Sequence, residues 1–328
     1  MDKDIERRWT CYVQIDDHEK AVQISRDEVQ EHLEKGRRLW VDILAPTAED
    51  TGWLEDVFDF HTLALSDVLN NDVQPKQETY DEVLFTVFGA VNFNPGEYAF
   101  DTINLNLFLT DRYIVTTHSL PLRTVHSVRR KIKNEAGMLS QGADHVYYLL
   151  LDNLVDRYVT LIDEMENDIE DLEEAIFAGE EIDIQETLFA LKRKTTHAKR
   201  SLRPKKEALK VLVYRELPQI SDETRTNLRD ILDHVSASIS NIESHRELLN
   251  SLMDSYMSRI SNKMNQVMEM LSIIATIMLP LSFLTGLFGM NFNNIPGLHT
   301  EYGFWLLVLF MFLMVAGMIG LFKKKGIL

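Results

Sequence analysis

The apolar residues of this 328-residue chain are concentrated at its end, and that segregation constrains the fold more than any other feature. Segments 270–288 (MLSIIATIMLPLSFLTGLF) and 302–322 (YGFWLLVLFMFLMVAGMIGLF) carry no charged residue. Each is close to the ~20 residues a helix needs to cross a ~30 Å hydrocarbon core. Only Gly289-Met290-Asn291-Phe292 and NNIPGLHTE separate them. The pattern predicts a helical hairpin surrounded by membrane lipid, preceded by a large water-soluble domain.

The formal net charge is −17. Beyond residue 266 the charged residues are Glu269, Glu301, Lys323, Lys324 and Lys325, so the acidity belongs to the water-soluble part. Such a domain repels phosphates at long range, which argues against nucleic acid as a partner. Cys11 is the single cysteine, which excludes an intrachain disulfide and fits a reducing compartment. MDKDIERRWT contains no apolar h-region of a signal peptide. The 291–301 loop has no Lys or Arg, whereas three lysines abut the second span. The positive-inside rule then predicts both termini in the cytoplasm and the short loop outside a cell membrane.

Residues 1–142 read as an α+β domain. Strand candidates rich in aromatic and β-branched residues are 9–15, 39–44, 83–92, 103–109 and 112–117. Helical stretches fall near 47–58, 61–70 and 120–138, so a mixed sheet covered by helices is the expected packing. Residues 143–220 read as a helical hairpin. Apolar residues recur at helical spacing from Tyr147 to Ile176, Gly179 breaks the run, and a second helix is expected over 183–212. Twelve of the 24 residues from 163 to 186 are acidic, and nine basic residues follow between 192 and 210. Mutual neutralisation of two antiparallel arms is the simplest reading.

From 221 to 288 the only helix breakers are Pro280 and Gly286. One helix of ~100 Å is expected there at 1.5 Å per residue, entering the membrane without a break. A helix of that length asks for parallel neighbours, and therefore for other copies of the chain. The loop 289–301, the second span 302–322 and the basic tail 323–328 complete the division of the sequence.

The two spans differ in polarity. The first contains Ser272, Thr276, Ser282, Thr285 and Gly286, residues that favour helix contact or a wet path. Asn265, Met268, Leu271, Ala275, Leu279, Ser282 and Gly286 step by three or four along one stripe. An amide, then bulky apolar groups, then small polar residues describe a pore with a hydrophobic constriction that gates by dewetting. The same spacing also describes a packing seam.

Gly289-Met290-Asn291, at the outer end of the first of two C-terminal spans, resembles the signature of the CorA family of divalent-cation channels. The stretch SNKMNQVMEMLSIIATIMLPLSFLTGLFGMN at 261–291 is similar to that family's pore helix. LRDILDH at 228–234 and LALSDVLNNDVQPK at 63–76 are similar to upstream segments. The resemblance covers essentially the whole chain. It implies a homopentamer with a funnel-shaped cytoplasmic domain, passing Mg²⁺ and often Co²⁺ or Ni²⁺ inward, with no organic cofactor. By the same resemblance, Gly289, Met290 and Asn291 form the selectivity filter, with the Asn291 carbonyl holding the hydrated ion. Mg²⁺ gives up its waters reluctantly, so neutral oxygens suit a site the ion must also leave. Mg²⁺ would also be the regulatory ligand, bridging Asp67 of one subunit and Asp230 of the next, with Asp152, Asp233 and Asp254 as further candidates.

The chain departs from the family at Ser66, where relatives carry a carboxylate, and at Asn293 and Asn294, where they often carry an acid. Glu301 is the loop's one acid, and His299 is compatible with a transition-metal preference. Two alternatives remain at this stage. One is a zinc transporter of the same superfamily, with or without proton coupling, against which the intact signature argues. The other is a signalling or scaffold protein whose hairpin is only an anchor. Walker, GxGxxG, GxSxG and HExxH motifs are missing from the sequence, so an enzyme is not expected.

Overall fold

The computed structural model describes residues 8–70, 73–92, 101–179, 183–290 and 300–326. It contains two compact units, Met1–Leu252 and Met253–Leu328. The first is built on a seven-stranded sheet of order β2-β1-β3-β7-β6-β5-β4. Its strands are β1 (Trp9–Val13), β2 (Val22–Ile24), β3 (Leu39–Leu44), β4 (Lys76–Tyr80), β5 (Val83–Asn92), β6 (Asp101–Leu109) and β7 (Tyr113–His118). Only β3 and β7 pair in parallel, with Val41 opposite Val115. The other pairs are antiparallel, so the sheet is mixed, as expected.

Both faces of the sheet are covered, because successive side chains of a strand point to opposite sides. Val41, Phe85, Val87, Phe108 and Val115 face α1 (Val29–Glu34), α2 (Ala48–Phe58) and α3 (Thr62–Leu69). Phe58, Phe60, Phe108 and Phe85 form a run of ring contacts there, with centroids 5.3, 4.2 and 4.7 Å apart. Trp40, Leu84, Phe88, Leu105, Leu107 and Ile114 face α4 (Arg123–Asn134), α5 (Ala143–Ala178), α6 (Ile184–Tyr214) and the first part of α7 (Asp222–Phe288). The second core is the larger, because α5 packs along the sheet and against α6.

Asp42 is a buried acid on that second face. It accepts from Thr116 Oγ1 at 2.6 Å and from Arg129 Nη2 at 2.5 Å, and His118 Nε2 lies 3.3 Å away. Trp40 Nε1 donates to Thr116 Oγ1 at 3.1 Å, tying the cluster to β3 and β7. Burial alone would raise the Asp42 pKa, but His118, Arg129 and Thr116 outweigh it and hold the carboxyl below its ordinary range. Burial would likewise lower His118, and Asp42 reverses the effect, leaving the imidazole above its ordinary value.

Helix ends follow local chemistry. Gly179 ends α5 in a left-handed conformation, φ 82°, as its position in the sequence predicts. Ser221 caps α7 by accepting from the Thr224 amide at 3.2 Å, and its own hydroxyl and amide donate to Asp144 at 2.6 and 3.0 Å. The start of the long helix is thereby fastened to the start of α5. That helix runs unbroken for 67 residues, with Pro280 inside it, and α8 (Gly303–Lys324) is the second apolar helix. Both have windows long and apolar enough to cross a membrane.

The expected neutralisation of the two hairpin arms is partial. Lys194 reaches Asp168 at 2.8 Å, but Lys199 turns instead to Glu243 of α7 at 2.6 Å. Lys205 is buried and reaches no acid among the described residues.

Candidate functional site

In the second unit, the stripe read from the sequence lies on the open side of α7. Asn265, Met268, Leu271, Ala275, Leu279, Ser282 and Gly286 are all exposed, with Met268 at 53%, Leu271 at 60% and Leu279 at 72%. A different face, marked by Ile273, Ile277, Leu281, Leu284 and Phe288, is half-buried. The described residues therefore leave the stripe uncovered, as they do Ile274, Met278 and Phe283 beside it. Three span hydroxyls are already satisfied along the helix. Ser272 donates to the Met268 carbonyl at 2.8 Å, Thr276 to Ser272 at 2.7 Å, and Thr285 to Ser282 at 3.1 Å. They need no partner on a second helix, so their presence does not by itself require a contact seam.

The C-terminal end of α7 closes on Gly289, whose amide donates to the Thr285 carbonyl at 2.9 Å. A Cβ at residue 289 would stand 2.9 Å from that same carbonyl oxygen. Glycine is needed there for close approach to the helix end, not for a left-handed backbone. Met290 follows, exposed, with its amide 3.4 Å from the Leu287 carbonyl. Asn291, Asn293, Asn294 and His299 lie outside the described residues. Glu301 is exposed, just before α8.

The candidate regulatory acids lie on three helices. Asp67, on α3, is ion-paired with Lys76 Nζ at 2.7 Å, and the same ammonium touches Glu78 at 2.8 Å. Burial would lower the Lys76 pKa, but these two acids raise it, so the lysine is held charged. Sequence reasoning missed this partner. Lys76 opens a polar edge strand whose register against β5 places it opposite Val87, and nothing in its composition announces a neighbour on α3.

Asp230, on α7, is 73% exposed, with His234 Nε2 at 3.8 Å. Asp152, on α5, is half-buried. Burial raises its pKa first, and the charges of Asp156 and Asp230 raise it further, against Lys131 and His234. Asp156 and Asp230 therefore both lie within electrostatic reach of Asp152, a repulsion that a divalent cation would relieve. Asp233 and Asp254 are exposed on α7. Among the described residues, no three metal-ligating side chains of one chain converge closely enough to hold an ion. The donor types suit a hard cation that keeps most of its waters.

An α/β unit whose last helix continues into an apolar two-helix segment defines a two-span membrane protein. The family described as CorA-like Mg²⁺ transporter protein matches residues 36–324, and the chain belongs to this family of divalent cation transporters. The cobalt/magnesium transport protein CorA of Thermotoga maritima is 32% identical over 272 residues, covering 82% of this chain and 77% of that protein. The zinc transport protein ZntB of Yersinia enterocolitica is 23% identical over 278 residues, covering 85% and 84%. The complete structure of the CorA magnesium transporter of Methanocaldococcus jannaschii has a TM-score of 0.84 at 22% identity, covering 98% of this chain and 99% of that one, a likeness of fold.

Proposed function

We propose that five copies of this chain form a channel admitting Mg²⁺, and also Co²⁺ or Ni²⁺, to the cytoplasm, with the α7 stripes lining the pore. The observation that carries this reading is the stripe itself. Seven residues at helical spacing, grading from an amide through bulky apolar groups to small ones, are left uncovered by their own chain. Met268 and Leu271 form the dry constriction, where a hydrated ion passes only if the ring widens or wets. At the outer mouth Asn291 carbonyls hold the ion by its water shell, and Gly289 lets the helix end close beneath them. The filter comprises Gly289, Met290 and Asn291. Both termini are cytoplasmic. The membrane potential drives entry, since a divalent ion gains about 4.6 kcal/mol per 100 mV.

Cytoplasmic Mg²⁺ regulates the channel by bridging Asp67 and Asp230 of adjacent subunits. Bridging favours one closed arrangement because the metal binds that arrangement better than the open one. The repulsion gathered around Asp152 supports a role for that residue beside Asp230, and Asp233 and Asp254 are weaker members of the same set. A zinc-selective relative is the second reading. The intact glycine-methionine-asparagine signature favours magnesium over it.

Flux into proteoliposomes at fixed voltage tests the proposal, with Mg²⁺, Co²⁺, Ni²⁺ and Zn²⁺ compared and a pH gradient then imposed. Asn291→Ala should lower Mg²⁺ flux about tenfold or more, as for loss of a hydrogen bond to a charged group, while the assembly keeps its mass. Normal conduction by that variant would remove the mouth site. Zinc flux that follows the proton gradient would favour the second reading.

A further inference from the structure

A cavity of about 830 Å³ opens in the first unit where α6 passes the β5–β6 part of the sheet, and none of the candidate regulatory carboxylates lines it. Its wall is basic in an otherwise acidic protein. Lys199, Arg200, Arg203 and Lys205 line it from α6, with Asn104 from β6. Glu207 stands at the same wall, but it is paired with Lys210 at 2.9 Å, and Lys199 is paired with Glu243.

Lys205 is the unusual member, because it is 1% exposed. Its ammonium donates to the Ser201 carbonyl and to Ser201 Oγ, both at 3.0 Å, and lies 4.7 Å from the centre of the Tyr158 ring. These acceptors are neutral. No acid among the described residues acts on it, and burial alone pulls its pKa down to about 7. A buried lysine without a counter-charge is costly, and chains that keep one usually have a use for the charge. Here the lysine belongs to the wall of an open cavity, beside two exposed guanidinium groups.

We propose that this cavity binds a small phosphorylated anion, of pyrophosphate to nucleoside-diphosphate size, with Lys205 as its buried charge and Arg200 and Arg203 as its outer clamps. Guanidinium forks match phosphate oxygens two at a time, while a lysine serves as a point charge. The volume lies within the range of small-molecule pockets, far larger than a halide requires. The chain's net charge of −17 disfavours an extended polyanion such as nucleic acid, whereas a compact anion needs only the local field.

Binding draws a proton onto Lys205, because the anion favours the ammonium form. The groups that face Lys205 leave it as the site of that uptake. Tyr158 of α5 keeps its hydroxyl proton, engaged with the Gly89 carbonyl at 3.2 Å and Ser201 Oγ at 2.8 Å. Phe88 of β5 and Asn104 of β6 carry no titratable group, and Arg200 and Arg203 are the neighbouring charged residues in the lining. His197 and Glu207 also line the cavity and are controlled for below.

Calorimetry on the full-length protein in detergent, in Mg²⁺-free buffer near pH 7.5, tests the inference with pyrophosphate as the probe. Two buffers of different ionisation enthalpy report proton uptake. Saturable binding at one site per chain is expected, with net proton uptake by the protein once the protons released by the anion itself are counted. Lys205→Met should weaken binding about tenfold or more and abolish the uptake. Arg200→Ala, on the surface, should weaken binding and leave the uptake intact. His197→Gln and Glu207→Gln should leave the uptake unchanged. ADP and inorganic phosphate as second and third probes separate a nucleotide ligand from an inorganic one. Failure of all three anions to saturate, binding indifferent to both Lys205→Met and Arg200→Ala, or uptake surviving Lys205→Met would each overturn the assignment. None of these outcomes depends on which cation the pore conducts.

Discussion

Asp67 is held by Lys76 at 2.7 Å, so a divalent cation arriving there meets an ammonium that Glu78 also holds. The lysine acts as a tethered competitor for the proposed bridging metal. Lys76→Met should lower several-fold the Mg²⁺ concentration that gives half-maximal protection from proteolysis. Asp67→Asn with Asp230→Asn should raise it and keep flux high as internal Mg²⁺ rises. A double variant still shut by millimolar Mg²⁺ would remove these residues from regulation while leaving the pore reading intact. A second residue-scale outcome concerns stability and pH. The raised pKa of His118 contributes stability that is complete below its ordinary value of 6.5 and is lost as pH rises through the folded value. The lowered pKa of Asp42 contributes stability present above its ordinary 3.8 and lost as pH falls through the folded value. Thermal midpoints should therefore decline on both sides, and His118→Gln should flatten the alkaline decline and also reduce the acid one, because His118 helps hold the Asp42 pKa down. Asp42→Asn should lower the thermal midpoint, because it removes the buried carboxylate that both Arg129 and His118 face.

Helix α7 carries the element-scale prediction. Met268→Asp or Leu271→Asp should wet the constriction and raise resting leak of Mg²⁺, read as flux without an activating gradient change. Unchanged leak in both would move the constriction elsewhere along the stripe. This helix was legible from the sequence almost to the residue, read as 221–288 and found as Asp222–Phe288, because its helix breakers are so sparse. The central strands were legible for a similar reason, since burial on both faces fills them with Val, Ile, Leu and Phe. Strands β2 (VQI) and β4 (KQETY) were not. They are the two edges of the sheet, where only one neighbour and little core demand apolar residues. Helix α1, six residues long, is too short to show a period. The loss of β4 carried a further loss with it: Lys76 cannot be placed against Asp67 until that strand is placed. The spacing of the α7 stripe was thus readable from the sequence, and the Lys76–Asp67 pair, which depends on an edge strand's register, was not.

Assembly belongs to the scale of the whole molecule. Native mass measurement in mild detergent should give five chains of 38.0 kDa. A monomer that conducts would rule out a pathway lined by several copies of α7. Pro280 bears on the same question from the backbone. Lacking an amide proton, it leaves the Thr276 carbonyl without its helical donor, and the Thr276 hydroxyl is occupied with Ser272. Hydrocarbon offers that oxygen nothing, whereas water or an adjacent helix does. One missing hydrogen, in the middle of the first span, makes this segment a poor solute in lipid when alone and a better one in company.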